Sequence, residues 1–232
     1  THYIRTHLED SPVYEEMQEH LKQQGSGVKH PIRTLFKKHL RVLIISFGAC
    51  VLNAVGFYAV LTYLPNYLET TLNYDPSAAS IITTIVLVAY IGFIFVSGRI
   101  SDRFGRKKML IIACVGFIVL TIPAFMLLGT KNFWIILLVE LVMCLILTIN
   151  DGTLSSYLTE TFPTSVRFTG FAFSFNLANA IFGGTASFIA TGLIALTGSS
   201  IAPAWYMVGV AAIALVAMIL SHENTDKDLN HI

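Results

Sequence analysis

Charged residues are scarce in this chain of 232 residues. Only 12% of the residues are Asp, Glu, Lys or Arg, whereas 54% are hydrophobic, and a soluble domain carries about 25% charge. So few charges cannot cover a water-facing surface, which argues against an ordinary soluble enzyme. The same composition excludes intrinsic disorder, which requires low hydrophobicity and high net charge. The formal net charge is +1, so no strong overall field attracts nucleic acid.

Cysteines and catalytic motifs are also scarce. The three cysteines, Cys50, Cys114 and Cys144, have no paired spacing and lie within apolar runs, which is typical of packing residues and not of a disulfide framework or metal site. The sequence has no glycine-rich loop that ends in Lys-Ser or Lys-Thr, so no ATP-binding motif of that kind is encoded. It also lacks a Cys/His cluster and an evident nucleophile–base pair. We therefore predict no cofactor, no metal and no enzymatic activity.

Six apolar stretches are long enough to cross the hydrocarbon of a bilayer, which takes about 20 helical residues. They cover residues 40–68, 77–97, 109–128, 133–158, 168–197 and 202–220. The sequence thus predicts an all-α membrane protein. We expect a cytoplasmic linker segment over residues 1–39, a six-helix transmembrane bundle over 40–221 and a cytoplasmic tail over 222–232.

Lys and Arg residues fall almost entirely on one side of this predicted bundle. Of the 15, all but Lys131 lie in the segments that six spans place on the same side as both termini. Cytoplasmic loops carry the excess of Lys and Arg in membrane proteins. The pattern predicts a multi-pass protein of the plasma (inner) membrane with both ends of the chain in the cytoplasm.

The first 36 residues are polar and precede the apolar spans. Ser11 is expected to cap a helix that starts at Pro12 and ends before the glycines at 25 and 27. This segment is either a simple tether or a linker helix between two membrane halves. The chain begins with threonine and shows no signal peptide, so we expect a fragment or a truncated gene product.

A charged segment joins the second and third predicted spans. Gly98 and Gly105 permit a tight turn there, and the charges between them exceed what a chain reversal needs. They either form an ion-pair cluster that locks helices together or merely satisfy the preference for positive charge inside. The segment reads Gly98, Arg99, Ile100, Ser101, Asp102, Arg103, Phe104, Gly105, Arg106 and Lys107.

The pattern Gly-x-x-x-Asp-Arg-x-Gly-Arg-Lys resembles the signature loop of the major facilitator superfamily. Members of that superfamily have twelve spans in two six-span halves, and the loop follows the second span of each half. The resemblance implies that this chain forms spans seven to twelve, and that its lead-in corresponds to the central linker. An N-terminal six-span half would then be its missing partner.

A longer run is similar to the metabolite:proton symporter family, most of all to its members that carry proline and betaine. The likeness lies in residues 150–153, 158–163, 166–170, 173–178 and 180–184, and in the shorter stretches 8–12, 63–67 and 72–73. It implies proton-coupled symport of a small zwitterionic osmolyte such as proline or glycine betaine, by alternating access. Protons, the solute and membrane lipid would be its partners.

Two alternatives remain for that function. An organic-acid symporter of the dicarboxylate type belongs to the same family, although no Lys or Arg lies in the middle of a span to hold an anion. A non-transporting, truncated remnant is the other alternative.

The resemblance also implies a cytoplasmic gate. Glu160 is expected to pair with Arg99 or Arg106, and Asp102 with Arg167 or with the dipole of a nearby helix. These contacts would hold the cytoplasmic side shut while the site faces outward. The gate residues are Gly98, Arg99, Asp102, Arg103, Gly105, Arg106, Glu160 and Arg167.

Two carboxylates lie deep within the fourth predicted span. A carboxylate at mid-membrane costs about 2.5–3.5 kcal/mol, so it faces the bundle interior or a watery cavity. Glu140 is a candidate for contact with the substrate or the proton, or else forms an interhelical pair. Asp151 returns to nearly the same helix face about 16 Å further along the axis, and an interhelical or gate role is favoured for it.

Amides and tyrosines supply the remaining candidates for contact with the substrate or the proton. Asn53, Asn176 and Asn179 either bridge helices or bind a ligand carboxylate. Tyr58 and Tyr90 either hold a quaternary ammonium by cation–π attraction, worth about 0.5–2 kcal/mol per contact, or pack as ordinary rings. Pro65 is expected to break the first span near its outer end, or to mark that end.

Overall fold

The computed structural model describes residues 31–221, and this part of the chain is helical without strands. The predicted helix at Pro12, the glycines at 25 and 27 and the tail from 222 onward lie outside the described residues. The helices are Pro31–Lys38, Leu40–Phe57, Leu64–Thr70, Pro76–Phe104, Arg106–Leu128, Phe133–Thr161, Arg167–Ala178, Ala186–Thr197 and Ala202–Leu220, with π-helical segments at Tyr58–Tyr63 and Asn179–Gly183.

Six of these helical stretches are long and apolar enough to cross a membrane, which confirms the predicted all-α class and number of spans. We number them in chain order. Span 1 is Leu40–Thr70, span 2 Pro76–Phe104, span 3 Arg106–Leu128, span 4 Phe133–Thr161, span 5 Arg167–Thr197 and span 6 Ala202–Leu220.

Spans 1 and 4 lie at the centre of the bundle. Span 4 packs on spans 2 and 3, while span 1 packs on spans 5 and 6, and spans 3 and 6 also pack on each other. In the most apolar stretch of span 1, 67% of the residues are buried, compared with 17% in spans 2 and 5. Spans 2 and 5 are therefore the outer helices, and most of their surface is left uncovered by the described residues.

The charged segment between spans 2 and 3 is helical almost throughout, so the prediction that both of its glycines shape a turn is wrong for Gly98. Span 2 continues to Phe104 and span 3 begins at Arg106, which leaves Gly105 alone to reverse the chain. Its φ of 94° lies in a region that glycine adopts at little cost. Backbone hydrogen bonding carries the helix past the end of the apolar run, where exposed side chains such as Asp102 and Arg103 are solvated.

Span 1 does not break at Pro65. The proline lies in the first turn of Leu64–Thr70, directly after the π-helical segment Tyr58–Tyr63. In a regular helix interior, proline removes a hydrogen bond and its ring clashes with the carbonyl four residues earlier. The wider π-helical turn accommodates both effects, so the span continues to Thr70.

Spans 2 and 4 cross closely at glycine. A Cβ atom at Gly152 of span 4 would lie 2.7 Å from Ser97 Oγ and 3.1 Å from the Gly98 backbone nitrogen of span 2. One turn earlier on span 4, the Thr148 carbonyl accepts a 2.6 Å hydrogen bond from Ser97 Oγ. This crossing fixes span 2 against span 4 next to Asp151.

Candidate functional site

Asp151 of span 4 accepts hydrogen bonds from two other spans. Asn53 Nδ2 of span 1 donates to Oδ1, and Tyr90 Oη of span 2 donates to Oδ2 at 2.8 Å. Asn53 is buried, whereas Asp151 and Tyr90 are partly exposed. The carboxylate thus links three spans, which is the first of the two roles, interhelical or gate, that the sequence favoured for it.

A row of aromatic rings lies beside this carboxylate. The centroid of the Phe57 ring is 6.2 Å from that of Tyr90 and 5.8 Å from that of Tyr58, and both pairs meet edge to face. Together with Asn53 and Asp151, these three rings form what we call the aromatic–carboxylate cluster. The sequence analysis missed Phe57, although it lies one helical turn after Asn53 and therefore on the same face.

Span 5 borders the cluster through its own π-helical segment. A Cβ atom at Gly183 would lie 2.8 Å from Tyr58 Cε2 and 3.5 Å from Asn179 Oδ1. The Tyr58 ring therefore packs directly on the Gly183 backbone, with the Asn179 amide nearby. Asn179 Nδ2 donates to the Phe175 carbonyl at 2.9 Å, within its own span.

Asn176 is not part of this cluster. Its side chain is exposed, and its Nδ2 donates to the Ala172 carbonyl of the same span at 2.8 Å. It faces an open apolar groove between span 5 and the short helix Pro31–Lys38. The groove is lined by Ile32, Phe168, Thr169, Ala172, Phe173, Asn176, Leu177 and Ala180.

Glu140 is also separate from the cluster. Its side chain is buried, with 1% exposure, and its Oε1 has no hydrogen-bond partner among the described residues. Eleven positions separate it from Asp151 on span 4, about 16 Å along the helix axis. The interhelical ion pair considered for Glu140 is not found within residues 31–221.

At the charged end of the bundle, Arg106 bridges two carboxylates. Its Nη2 is 2.9 Å from Asp102 Oδ1, and its Nε is 3.0 Å from Glu160 Oε1. The Nε contact is an ion pair without the geometry of a linear hydrogen bond. We call these three side chains the Arg106 cluster. It contains the expected Glu160–Arg106 pair and links the start of span 3 to the last turn of span 4.

The other basic residues of the predicted gate do not join this cluster. Asp102 pairs with Arg106 and not with Arg167. Arg106 is only four residues further along the chain, just after Gly105 reverses its direction, so the two side chains lie close together. Arg167 Nε instead donates to the Phe162 carbonyl at 3.2 Å. Arg99 and Arg103 are exposed and form no ion pair with any residue that the structure describes.

Residues 46–230, which are most of the chain, match the family model of the Major Facilitator Superfamily. This chain belongs to that superfamily. As a member of the Major Facilitator Superfamily with six apolar spans, it is a multi-pass membrane protein.

The similar curated proteins are named as transporters. The chain is 31% identical to a putative proline/betaine transporter of Staphylococcus haemolyticus over 96% of its own length and 47% of that protein. It is also 31% identical to the glycine betaine/proline/ectoine/pipecolic acid transporter OusA of Dickeya dadantii, and to the proline/betaine transporter of Salmonella typhimurium, each over 98% of this chain and 46% of the relative. The chain thus spans about half the length of the curated relatives it matches.

The superfamily's signature segment has a further contact that sequence reasoning missed. Lys107 Nζ donates to the carbonyl of Ser221, the residue that caps the end of span 6. A lysine amino group at a helix C-terminus satisfies carbonyls that have no partner within the helix. The signature segment of this Major Facilitator Superfamily member therefore connects spans 2, 3, 4 and 6 at one end of the bundle.

Proposed function

We propose that this chain is half of a secondary active transporter that moves a small zwitterionic osmolyte, such as proline or glycine betaine, together with protons. The observation that supports this best is the aromatic–carboxylate cluster within the spans of a chain whose relatives are named for such solutes. Polar side chains within spans mark substrate and ion pathways in membrane proteins. Asp151 and the neighbouring rings combine negative charge with π faces, as a cationic group requires.

The rings are proposed to hold the ammonium group of the solute. Phe57, Tyr58 and Tyr90 each offer a π face, and cation–π contact contributes about 0.5–2 kcal/mol per favourable ring. Phe57 is 38% exposed, so the row opens onto a surface and is not sealed in the core. A ligand can therefore reach the rings without unpacking the bundle.

The carboxylate end of the solute requires hydrogen-bond donors. Asn179 is the proposed donor from this chain, because its amide lies near Tyr58 on the facing span. In the structure, the Asn179 amide donates to a carbonyl of its own helix. A ligand carboxylate would take the place of that carbonyl as acceptor and form a stronger, charge-assisted hydrogen bond. Asn176 lies on the outer side of span 5, so any role for it in binding needs a surface that another six-span half supplies.

A second half is proposed to complete the site. The outer helices, spans 2 and 5, leave most of their surface uncovered, and the chain covers 47% of the first relative named above. Secondary transporters place the substrate between two repeats near the middle of the bilayer, and the repeats rock about it. We propose such alternating access here, with both ends of the chain in the cytoplasm and the Arg106 cluster as the cytoplasmic gate.

An organic-acid symporter is the less favoured function. A dicarboxylate needs cationic partners, yet the interior of the described bundle presents the acidic side chains Asp151 and Glu140. No Lys or Arg of the described spans lies at the aromatic–carboxylate cluster. The electrostatics of this half therefore favour a cationic or zwitterionic solute.

Uptake of labelled glycine betaine and proline tests the proposal. The chain is expressed with a complementary six-span half in cells that lack their own osmolyte carriers, with and without a protonophore. We expect uptake that the protonophore abolishes. Phe57→Leu, which removes a ring, should weaken uptake, while the matched variant Phe57→Tyr, which keeps one, should not. Membrane-inserted protein that transports labelled succinate and neither osmolyte would contradict the proposal.

A further inference from the structure

We infer that Asp151 is the group that takes up and releases the coupling proton, with Tyr90 and Asn53 as its partners in both protonation states. This inference rests on the proposed proton symport and assigns it to one residue. From the sequence alone, an interhelical or gate role was favoured for Asp151. Because its two partners are the neutral side chains Asn53 and Tyr90, we also assign it the binding of the coupling proton.

The carboxylate is stabilised by neutral donors and not by a cation. Asn53 faces it from span 1 and Tyr90 from span 2. On its own span, the other titratable groups of the same face are Cys144, two turns earlier, and Glu140, three turns earlier. Within residues 31–221, no Lys, Arg or His of any span forms an ion pair with it. Without a fixed counter-ion, the neutral acid costs less inside a membrane than the charged form does.

Both partners of Asp151 can accept a hydrogen bond as well as donate one. A phenol hydroxyl does both, and an amide has an oxygen acceptor beside its NH₂ donor. When a hydronium ion gives up a proton and becomes water, an O–H bond forms on Asp151, and the new hydroxyl can donate to Tyr90 Oη after the Tyr90 hydroxyl rotates. A turned Asn53 amide offers its Oδ1 in the same way. Rotation about side-chain bonds alone therefore gives the new hydroxyl an acceptor.

The reverse step releases the same proton. The O–H bond of Asp151 breaks, the proton passes to water on the other side of the membrane, and Tyr90 and Asn53 again donate to the carboxylate. Asp151 and Tyr90 are partly exposed on the described bundle, and the proposal requires that water reaches the group from this exposed side. Glu140 has no such route, because its side chain is buried and its Oε1 has no partner.

Protonation of Asp151 would change the contacts of the rings that are proposed to bind the solute. Hydrogen bonds to an ionised group are roughly twice as strong as those between neutral groups, so a proton on Asp151 weakens the links from span 4 to spans 1 and 2. Tyr90 is both a partner of Asp151 and a neighbour of Phe57. A change in the hydrogen bond between Tyr90 and Asp151 therefore alters the position of a ring that packs directly on Phe57.

The test compares concentrative uptake with counterflow in proteoliposomes that contain the complete two-half transporter. Labelled glycine betaine is the probe, and an imposed pH gradient is the driving force. Asp151→Asn should abolish accumulation above the external concentration. Counterflow needs no net proton movement and should persist at a saturating concentration of glycine betaine, although loss of the carboxylate charge raises the half-saturation. Asp75→Asn makes the same chemical change at the cap of span 2, outside the cluster, and should preserve both activities.

Two further variants cover other outcomes. Asp151→Glu restores a titratable carboxyl group and should recover pH-driven accumulation with a shifted pH profile, which a merely structural role would not produce. Accumulation that persists in Asp151→Asn, or that is lost in Glu140→Gln instead, would overturn the assignment. So would loss of both activities in Asp151→Asn that Asp151→Glu fails to rescue. If the unmodified protein shows no pH-driven uptake at all, the proposed function fails, and the assignment that rests on it fails with it; the Asp151 variants separate the two only where the unmodified protein accumulates the solute.

Discussion

The guanidinium of Arg106 lies 3.0 Å from the carboxylate of Glu160, which joins the first residue of span 3 to the last turn of span 4. A second contact of the same guanidinium, 2.9 Å to Asp102, adds the end of span 2. The Arg106 side chain therefore connects three helix ends. Exposed ion pairs contribute about 0–1 kcal/mol each, so such a link holds the helices together yet separates at little cost.

Neutralising Glu160 should therefore shift the balance between outward and inward access more than neutralising Asp102. The Asp102 side chain is 61% exposed and Glu160 21%, so water already screens the Asp102 pair. With about 1 kcal/mol or less per pair, we expect Glu160→Gln to favour the inward-open state by up to about fivefold. The labelling rate of a cysteine placed in the cytoplasmic pathway measures this shift. An Asp102→Asn effect equal to that of Glu160→Gln would contradict the ranking.

Gly152→Ala should destabilise the bundle. The added Cβ would lie 2.7 Å from Ser97 Oγ and 3.1 Å from backbone atoms of span 2, so the two spans must move apart. Overpacking of this kind costs about 1–3 kcal/mol. Thermal unfolding in detergent measures the loss. Gly192→Ala is the matched control, because its Cβ meets nothing within 4 Å, and equal melting temperatures for the two variants would argue against the close crossing.

Gly183→Ala should weaken solute binding by displacing the Tyr58 ring. The new Cβ would approach Tyr58 Cε2 to 2.8 Å, and a ring can swing away more easily than the backbone can. Loss of one cation–π contact of about 0.5–2 kcal/mol corresponds to an increase of about 2- to 30-fold in half-saturation for glycine betaine. Gly192→Ala again serves as control on the same span. An unchanged half-saturation in Gly183→Ala would remove Tyr58 from the site.

Single introduced cysteines should report opposite sides of the membrane at Lys108 and Lys131. Both positions are exposed, whereas Cys50, Cys114 and Cys144 are buried and should give little background labelling. The distribution of Lys and Arg predicts that an impermeant thiol reagent added outside intact cells labels Lys131→Cys and spares Lys108→Cys. The opposite result would invert the proposed orientation.

Hydropathy alone was sufficient to locate the six spans, because the cost of burying polar groups in lipid acts on every residue of a span. It failed at the ends. The predicted end of the second span was Ser97, yet the helix continues to Phe104, since backbone hydrogen bonding does not depend on whether side chains face lipid or water. Hydropathy also does not distinguish π-helical from α-helical hydrogen bonding, so it did not predict the π-helical turn before Pro65.

The contacts of the site were not predictable from periodicity. A soluble helix shows which face packs through its apolar stripe, but a span is apolar on all sides, so its sequence does not say which helix it meets. Asn53 and Tyr90 were both candidates, yet only the packing of spans 1, 2 and 4 shows that they share Asp151. The same packing separates Asn179 from Asn176, three positions earlier, and leaves Glu140 alone.

The π-helical segment Tyr58–Tyr63 sets the phase between the two ends of span 1. Before it, Asn53 reaches Asp151; after it, Tyr67 Oη donates to the Ser200 carbonyl at 2.9 Å. A π-helical turn holds one residue more than an α-helical turn, so the deletion of one residue here would return the segment to α-helical geometry and leave Pro65 in a regular helix interior, which costs about 3 kcal/mol. The insertion of one residue would instead rotate one end of the span against the other by about 100°, and Asn53 and Tyr67 would then not both keep their partners. The length of span 1 is therefore constrained at this point, although its composition gives no sign of such a constraint.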